Sequence, residues 1–332
     1  MKKVISLIIC VVLAVGLFAS CIGRDDKAND NNSDKLRIVT TVFPIYDWVR
    51  NILGDKASDV ELTMLLDDGV DLHSYQPTAQ DIVKISTCDL FIYVGGESDE
   101  WVEDALSEAA NEDMKVINLV EALGDKVKEE EVKEGMEAEE DEDHEDHEEE
   151  KEYDEHVWLS LKNAAALTEM ISAEILAKDP DNAQAYKANT DSYIEKLNAL
   201  DKSYSRAVDG AEIKTLVFGD RFPFRYLVND YDLDYYAAFV GCSAETEASF
   251  KTVVFLANKL DELGIDYVMQ IESADGKLSQ SVIDASHDKS REILTLDSMQ
   301  STTSKQVEEG ADYISIMEKN LSILKTALHS AA

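Results

Sequence analysis

Hydrophobic and polar positions follow two alternating patterns from about residue 36 onward. Short runs of β-branched and aromatic residues, such as "RIVTTVF", "VELTMLL" and "DLFIYVGG", have the length and composition of buried strands. Segments with helical spacing separate them, and one of these begins at Thr78, which can cap a helix because Asp81 stands three positions later. Strands that alternate with helices predict βαβ units and a parallel sheet.

The second half of the chain repeats this alternation after a long helical stretch. The pattern is helical from Lys162 to about Val208, and Pro180 restarts it, which predicts one unusually long helix. Four more strand patterns follow, "IKTLVFGD", "DYYAAFVG", "IDYVMQIE" and "REILTLDS", and a closing helix is expected from Gln306 to His329. The predicted fold class is therefore α/β, with two αβ lobes whose parallel-rich sheets are joined by one long rigid helix. A ligand would bind in the inter-lobe cleft, at the carboxyl ends of the strands.

The N-terminus has the pattern of a bacterial secretory signal. Two lysines precede a short apolar run, and small residues come just before Cys21. A cysteine at this place, followed by a polar tether, predicts an extracytoplasmic lipoprotein anchored to the membrane through Cys21, although Phe18 stands where such sites usually have leucine. Ordinary secretion with a free thiol is the alternative. The predicted organisation is signal 1–21, tether 22–35, N-terminal lobe 36–180, linking helix 181–209 and C-terminal lobe 210–332.

The charge of the chain favours cations as partners. The formal net charge is -38, which disfavours duplex nucleic acid as a ligand because its phosphates need Lys and Arg partners. Much of the acid lies in the tract 127–155, which is expected to be a solvated insertion. His144 and His147 in this tract could collect cations weakly, and the alternative is a charged linker with incidental histidines.

The cysteines give no metal motif of their own. The chain has four, and after Cys10 and Cys21 in the signal only Cys88 and Cys242 remain, without a CxxC pair. Both are interpreted as packing residues.

Four candidate metal ligands stand near the ends of predicted elements, two in each lobe: His73, His156, Asp220 and Asp297. Neutral imidazole and carboxylate suit zinc or manganese, so these residues predict one site between the lobes. Each has a simpler alternative, because a histidine in a loop is often just hydrogen-bonded and an aspartate after a strand is often a helix cap.

The motifs around these residues resemble those of the zinc- and manganese-binding lipoproteins of ABC transporters, the ZnuA-like proteins. The segment "DLHSYQPTAQD" resembles the family's "P-H-x-Y-x-P-T", and "DEHVWLSL" resembles "D-P-H-x-W-L-x-P" after an acidic, His-rich insertion. The resemblance covers nearly all of the chain after the tether. It implies that His73 and His156 bind the metal, that the acidic loop collects ions, and that the lobes move little.

One family motif is altered. Zinc-binding members usually carry a third histidine in "H-x-A-F-x-Y", whereas this chain has "FGDRFPFRY". Asp220 is therefore assigned as the ligand, Arg221 as a non-ligand, and Asp297 as the match of the family's fourth position. Two imidazoles and two carboxylates are compatible with Zn²⁺ or Mn²⁺, and the histidines of the acidic loop favour zinc.

The function predicted from the sequence is capture of a divalent metal ion, zinc above all, and its delivery to the permease of an ABC transporter by a monomeric, non-enzymatic binder. A manganese-binding member of the same family is the first alternative. A metal-dependent hydrolase is the second, although the chain lacks HExxH. A surface adhesin is the third.

Overall fold

The computed structural model describes residues 35–137, 152–243 and 247–330. In these ranges the chain forms two four-stranded parallel sheets with flanking helices, and a long helix lies between the two lobes. The predicted α/β fold class is confirmed. The signal, the tether up to residue 34, Cys21, His144 and His147 lie outside the described residues, and the domain bounds stay a prediction.

The two sheets have the same strand order. The first follows the order β2-β1-β3-β4, and the second follows β6-β5-β7-β8. Sequential strands therefore occupy equivalent places in the two lobes, with β2 and β6 at matching edges. The strands are β1 (Arg37–Thr40), β2 (Glu61–Met64), β3 (Leu90–Tyr93), β4 (Lys115–Asn118), β5 (Thr215–Phe222), β6 (Asp234–Val240), β7 (Tyr267–Ile271) and β8 (Glu292–Leu296).

Eleven α-helices in the described ranges cover and connect these sheets. They are α1 (Phe43–Leu53), α2 (Ala79–Thr87), α3 (Trp101–Ser107), α4 (Leu119–Leu123), α5 (Leu161–Lys178), α6 (Ala183–Asp209), α7 (Arg225–Tyr231), α8 (Phe250–Leu263), α9 (Lys277–Ala285), α10 (Ser304–Glu308) and α11 (Tyr313–Ala327). None of these helices is both long and apolar enough to cross a membrane. The capping box predicted for α2 is present, since Thr78 and Asp81 exchange side-chain and main-chain hydrogen bonds.

The linking helix α6 is long because one of its faces is buried along its whole length. It has 27 residues and spans about 40 Å at 1.5 Å per residue. Its buried positions recur every three or four residues, as helical packing requires, and they are Tyr186, Thr190, Tyr193, Leu197, Leu200 and Tyr204. This face packs against α5, α1 and α11, so the helix is held by both lobes.

A buried segment at the junction of the lobes fixes the chain that follows the acidic tract. Val157, Trp158 and Leu159 form one 3₁₀ turn with almost no exposed surface. The indole of Trp158 donates to the Ser298 carbonyl at 2.8 Å, and the hydroxyl of Tyr313 donates to the Trp158 carbonyl at 2.5 Å. Because these bonds join distant parts of the chain, they hold the residue before the turn, His156, in one place.

The two described ends of the acidic tract are hydrogen-bonded to each other and to the C-terminal lobe, while Glu129, Glu152 and Tyr153 stay exposed to solvent. Glu129 and Tyr153 form an antiparallel bridge, which closes the tract at its base. The Glu137 N–H donates to the Ala238 carbonyl of β6 at 2.8 Å. The edge strand β6 thus supplies main-chain partners that composition alone does not reveal.

Candidate metal centre

Three potential metal ligands converge where the two sheets meet. One ligand atom each from His73, His156 and Cys242 lies within 4.8 Å of the other two. Within the described ranges, no other group of three or more His, Cys, Asp and Glu residues meets this condition. His73 follows β2 and Cys242 follows β6, so the equivalent edge strands of the two sheets each contribute one ligand.

His73 is held by its own turn and by the neighbouring loop. It lies in a 3₁₀ turn, Leu72–Ser74, which Asp71 caps by accepting the His73 N–H at 3.1 Å. The imidazole Nδ1 lies 2.7 Å from the Ser98 hydroxyl and 3.6 Å from Glu155 Oε2. With Nδ1 engaged in this way, Nε2 is the nitrogen that faces the centre of the site.

His156 is fully buried and is oriented by a carboxylate. Its Nδ1 lies 3.0 Å from Asp154 Oδ1, and the same oxygen accepts the His156 N–H at 2.9 Å. A carboxylate on the far nitrogen fixes the ring and makes Nε2 a better metal donor. The chain passes close to this ring at Gly241, where an added Cβ atom would lie 3.1 Å from His156 Cε1.

The two imidazoles have the separation that a tetrahedral ion needs. Their Nε2 atoms lie 3.2 Å apart. With zinc–nitrogen bonds of about 2.0–2.1 Å and tetrahedral angles, the two nitrogens of a zinc site are about 3.3 Å apart. An ion could therefore bind both rings with very little movement.

The protonation of the two histidines differs because their surroundings differ. Burial lowers the pKa of His73 to about 3, and the neighbouring His156 acts in the same direction, so His73 is neutral and able to bind a metal near pH 7. Burial alone would also lower the pKa of His156, but the charges of Asp154 and Glu155 outweigh it and the pKa is raised. Burial raises the pKa of Glu155 to about 7.

Cys242 is a potential ligand that no sequence motif marks. The sequence predicts a packing residue here, as at Cys88, but the Sγ of Cys242 belongs to the cluster. Both cysteines are free. Burial, with Asp154 and Glu155 nearby, raises the pKa of the Cys242 thiol, so the side chain is protonated when no cation is bound. The signal in the sequence is its place directly after a strand, at the edge equivalent to that of His73.

Asp220 and Asp297, the two carboxylates nominated from the sequence, lie outside this cluster. Both oxygens of Asp220 accept main-chain N–H groups, from Arg221 at 2.9 Å and from Ile271 at 3.0 Å, so it joins the irregular part of β5 to the end of β7. Asp297 Oδ1 accepts the Met299 N–H at 2.9 Å. Both side chains thus accept main-chain N–H groups, although neither is the N-cap of a helix in the described ranges.

Arg221 is engaged in contacts that bridge the two lobes. Its guanidinium forms an ion pair with Asp71, beside the His73 turn, and donates to the Ser243 carbonyl at 3.3 Å. Its role is to draw together the two loops that carry His73 and Cys242.

The sequence and fold match a known family. A family model described as zinc-uptake complex component A, periplasmic (ZnuA), matches residues 38–327. The chain belongs to this family. Members of the ZnuA family are solute-binding proteins and not enzymes.

Individual relatives agree with the ZnuA match. The zinc-binding lipoprotein AdcA of Streptococcus pneumoniae is 34% identical over 326 residues, which is 98% of this chain and 61% of AdcA. The chain thus spans about three fifths of that relative. The high-affinity zinc uptake system protein ZnuA of Bacillus subtilis is 32% identical, with 94% of each chain covered. The Zn(II)-bound ZnuA-like domain of S. pneumoniae AdcA superposes with a TM-score of 0.68 at 29% identity, covering 89% of this chain and 99% of the domain.

Proposed function

We propose that this protein captures zinc outside the cytoplasm and delivers it to the permease of an ABC-type importer. The observation that carries the proposal is the pair of buried imidazoles, whose Nε2 atoms face each other at 3.2 Å. Two Nε2 atoms at hydrogen-bond distance, each ring held from behind through Nδ1, form a preorganised place for a divalent cation. The zinc-binding names of the AdcA and ZnuA relatives support zinc as that cation.

The proposed ligands from the N-terminal side of the site are His73 and His156, and we propose Asp297 as the carboxylate ligand. Asp297 begins the loop in which the Ser298 carbonyl accepts the Trp158 indole N–H, two residues from His156. Burial raises the pKa of Asp297, so a nearby cation would stabilise its charged form. Asp220 is left out of the proposed ligand set, because binding an ion would break two main-chain hydrogen bonds.

The arrangement favours binding without catalysis. Glu155 is the group that a hydrolase would use as a base, but its side chain is 1% exposed and its Oε1 accepts the Ser98 N–H at 2.8 Å. A cavity beside the site, lined in part by Glu130, Asp154 and Gly241, holds about 10 Å³, which is room for one water molecule.

Zinc should displace manganese from the purified protein. Zinc stands above manganese in the Irving–Williams order, and a small tetrahedral site does not offer manganese its higher coordination number. Competition calorimetry, with zinc titrated into the manganese-loaded protein, should give displacement at one equivalent. Manganese that holds the site against equimolar zinc would establish the manganese-binding alternative.

The position of the His156 ring should depend on Gly241. A Cβ atom at this position would lie 2.9 Å from the Phe222 carbonyl oxygen, so either the loop or the ring must move. Gly241→Ala should weaken zinc binding by about 10–100-fold, the loss expected when a metal ligand is misplaced. Gly210→Ala is the matched control, because its nearest neighbour would be at an ordinary 3.5 Å. Equal zinc affinities for the two variants in calorimetry would exclude this role.

The acidic tract is proposed to concentrate cations near the site and not to hold the tightly bound ion. The cluster consists of His73, His156 and Cys242, all in the described ranges. His144 and His147 belong to the tract and are not part of this cluster. Deleting residues 138–151 should leave the equilibrium Kd for zinc unchanged and lower the association rate at low salt, since negative charge steers cations. Stopped-flow measurement with a fluorescent zinc competitor reports both quantities. A large loss of affinity would place the tight site in the tract.

We propose that the protein is held at the outer face of the membrane, close to its permease. Cys21 would carry the lipid anchor that the lipoprotein name of AdcA supports, which keeps the protein beside its permease. We propose that it acts as a monomer, with the two lobes presented to the permease. Radiolabelled palmitate incorporated by the wild-type chain but not by Cys21→Ala would test the anchor.

A further inference from the structure

The geometry points to Cys242 as a ligand of the bound metal in the thiolate form, so that one sulfur joins the two imidazole nitrogens and the proposed carboxylate of Asp297. This inference rests on the proposed function. It starts from the cluster itself, in which Cys242 Sγ and the nitrogens of His73 and His156 lie within 4.8 Å of one another. With a zinc–sulfur bond of about 2.3 Å, a tetrahedral site places sulfur about 3.6 Å from each nitrogen, so the thiol needs to move little.

The turn that carries Cys242 is fixed on both sides. The Cys242 N–H donates to Glu130 Oε1 at 3.1 Å, which ties the turn to the base of the acidic tract. The next carbonyl, that of Ser243, accepts a hydrogen bond from Arg221 at 3.3 Å. Gly241 lies against the His156 ring on the other side. A turn held at three successive residues presents its side chain in one direction, as a metal ligand requires.

A second observation indicates that a cation belongs among these groups. Glu155 is 1% exposed, and its Oε2 has no hydrogen-bond partner in the described part of the protein. This oxygen lies 3.6 Å from Nδ1 of the metal-facing His73 ring. A buried carboxylate oxygen without a partner is costly unless positive charge is close, and an ion held by the cluster would supply that charge.

The consequence of a sulfur ligand is selectivity. Thiolate is a soft donor that suits zinc and disfavours manganese, whose preferred ligands are carboxylates, carbonyls and water. On binding, the thiol loses its proton to solvent and the Zn–S bond forms, with no change of oxidation state. Two histidines and a carboxylate are compatible with either zinc or manganese, and the sulfur of Cys242 would make the site prefer zinc.

Cobalt(II) tests the sulfur ligand directly, because a cobalt–thiolate bond gives an intense charge-transfer band in the near ultraviolet. One equivalent of cobalt(II) chloride is added to the full chain, to Cys242→Ser and to Cys88→Ala. Cys88 is the matched control, since it is a buried free cysteine whose Sγ lies 3.5 Å from the Met114 sulfur, outside the cluster. The band should appear in the wild type and in Cys88→Ala and be absent from Cys242→Ser.

The outcomes separate this inference from the proposed function. Cobalt bound tightly by the wild type without the band would overturn the inference alone, and so would a band that survives in Cys242→Ser. A wild-type chain that binds neither cobalt nor zinc would overturn both.

Metal affinities give a second, independent readout. Cys242→Ser should weaken zinc binding by on the order of 100-fold, at the upper end of what loss of an orienting partner costs, and change manganese binding by less than about tenfold. Unchanged zinc affinity would contradict the inference. Equal losses for both metals would do the same, because they would indicate a distorted site and not a lost sulfur donor.

Discussion

Replacing His73 with alanine should weaken zinc binding by more than about 100-fold, because loss of a group that only orients a ligand already costs about 10–100-fold. The substitution removes one of the two nitrogens that lie 3.2 Å apart. The fold should survive, since His73 is on a short turn and the buried side chain of that turn is Leu72. Isothermal titration calorimetry measures the loss, and circular dichroism checks the fold.

The control for this substitution is His287→Ala. The ring of His287 is 94% exposed and pairs with Asp261, so its removal should not alter zinc affinity. If His73→Ala kept the wild-type affinity, or lost no more than His287→Ala, the proposed site would be wrong. His156→Ala should behave as His73→Ala does in binding, with a larger loss of stability because its ring is fully buried.

Zinc should strongly stabilise the folded protein, and a chelator should remove this effect. At free zinc about 1,000 times the Kd, binding adds about 4.1 kcal/mol to the free energy of unfolding. At about 2 °C per kcal/mol, the lower figure for large domains, Tm should rise by roughly 8 °C. Differential scanning calorimetry with zinc and then with excess EDTA measures the shift in both directions.

The same scan on His73→Ala provides the comparison. Zinc should barely raise the Tm of this variant, because the ion would bind the folded variant little more tightly than it binds the unfolded chain. A full shift in the variant would mean that the stabilising ion binds elsewhere, for example at the acidic tract. No shift in the wild type would argue against a tight site of any kind.

The sequence predicts the fold well where the hydrophobic pattern is long, and poorly where elements are short. The linking helix is evident because its buried face recurs over 27 residues. Strand β4 is not identified, because Lys115–Asn118 has four residues and polar residues at both ends. The predicted single closing helix is wrong: Gly310, with a φ of 103°, separates α10 from α11, and Asp312 caps the second helix.

Some residues of the site stand in sequence motifs, whereas others come close to the site only through the fold of the chain. His73 and His156 stand in recognisable motifs, and the fold brings them together, although their role as ligands stays a prediction. Cys242 stands in no recognisable motif. It comes close to His73 because β2 and β6, the strands before the two residues, occupy equivalent edges of two sheets with the same strand order. Asp220 is a candidate because it stands near the end of a strand, but that is also where an aspartate caps main-chain N–H groups.

The central claim is that one zinc ion binds between His73 and His156, and diffraction at the zinc absorption edge tests it most directly. Crystals of the full chain loaded with one equivalent of zinc should give one strong anomalous peak about 2.0–2.1 Å from the Nε2 atoms of both rings. A strongest peak away from these two nitrogens would contradict the account.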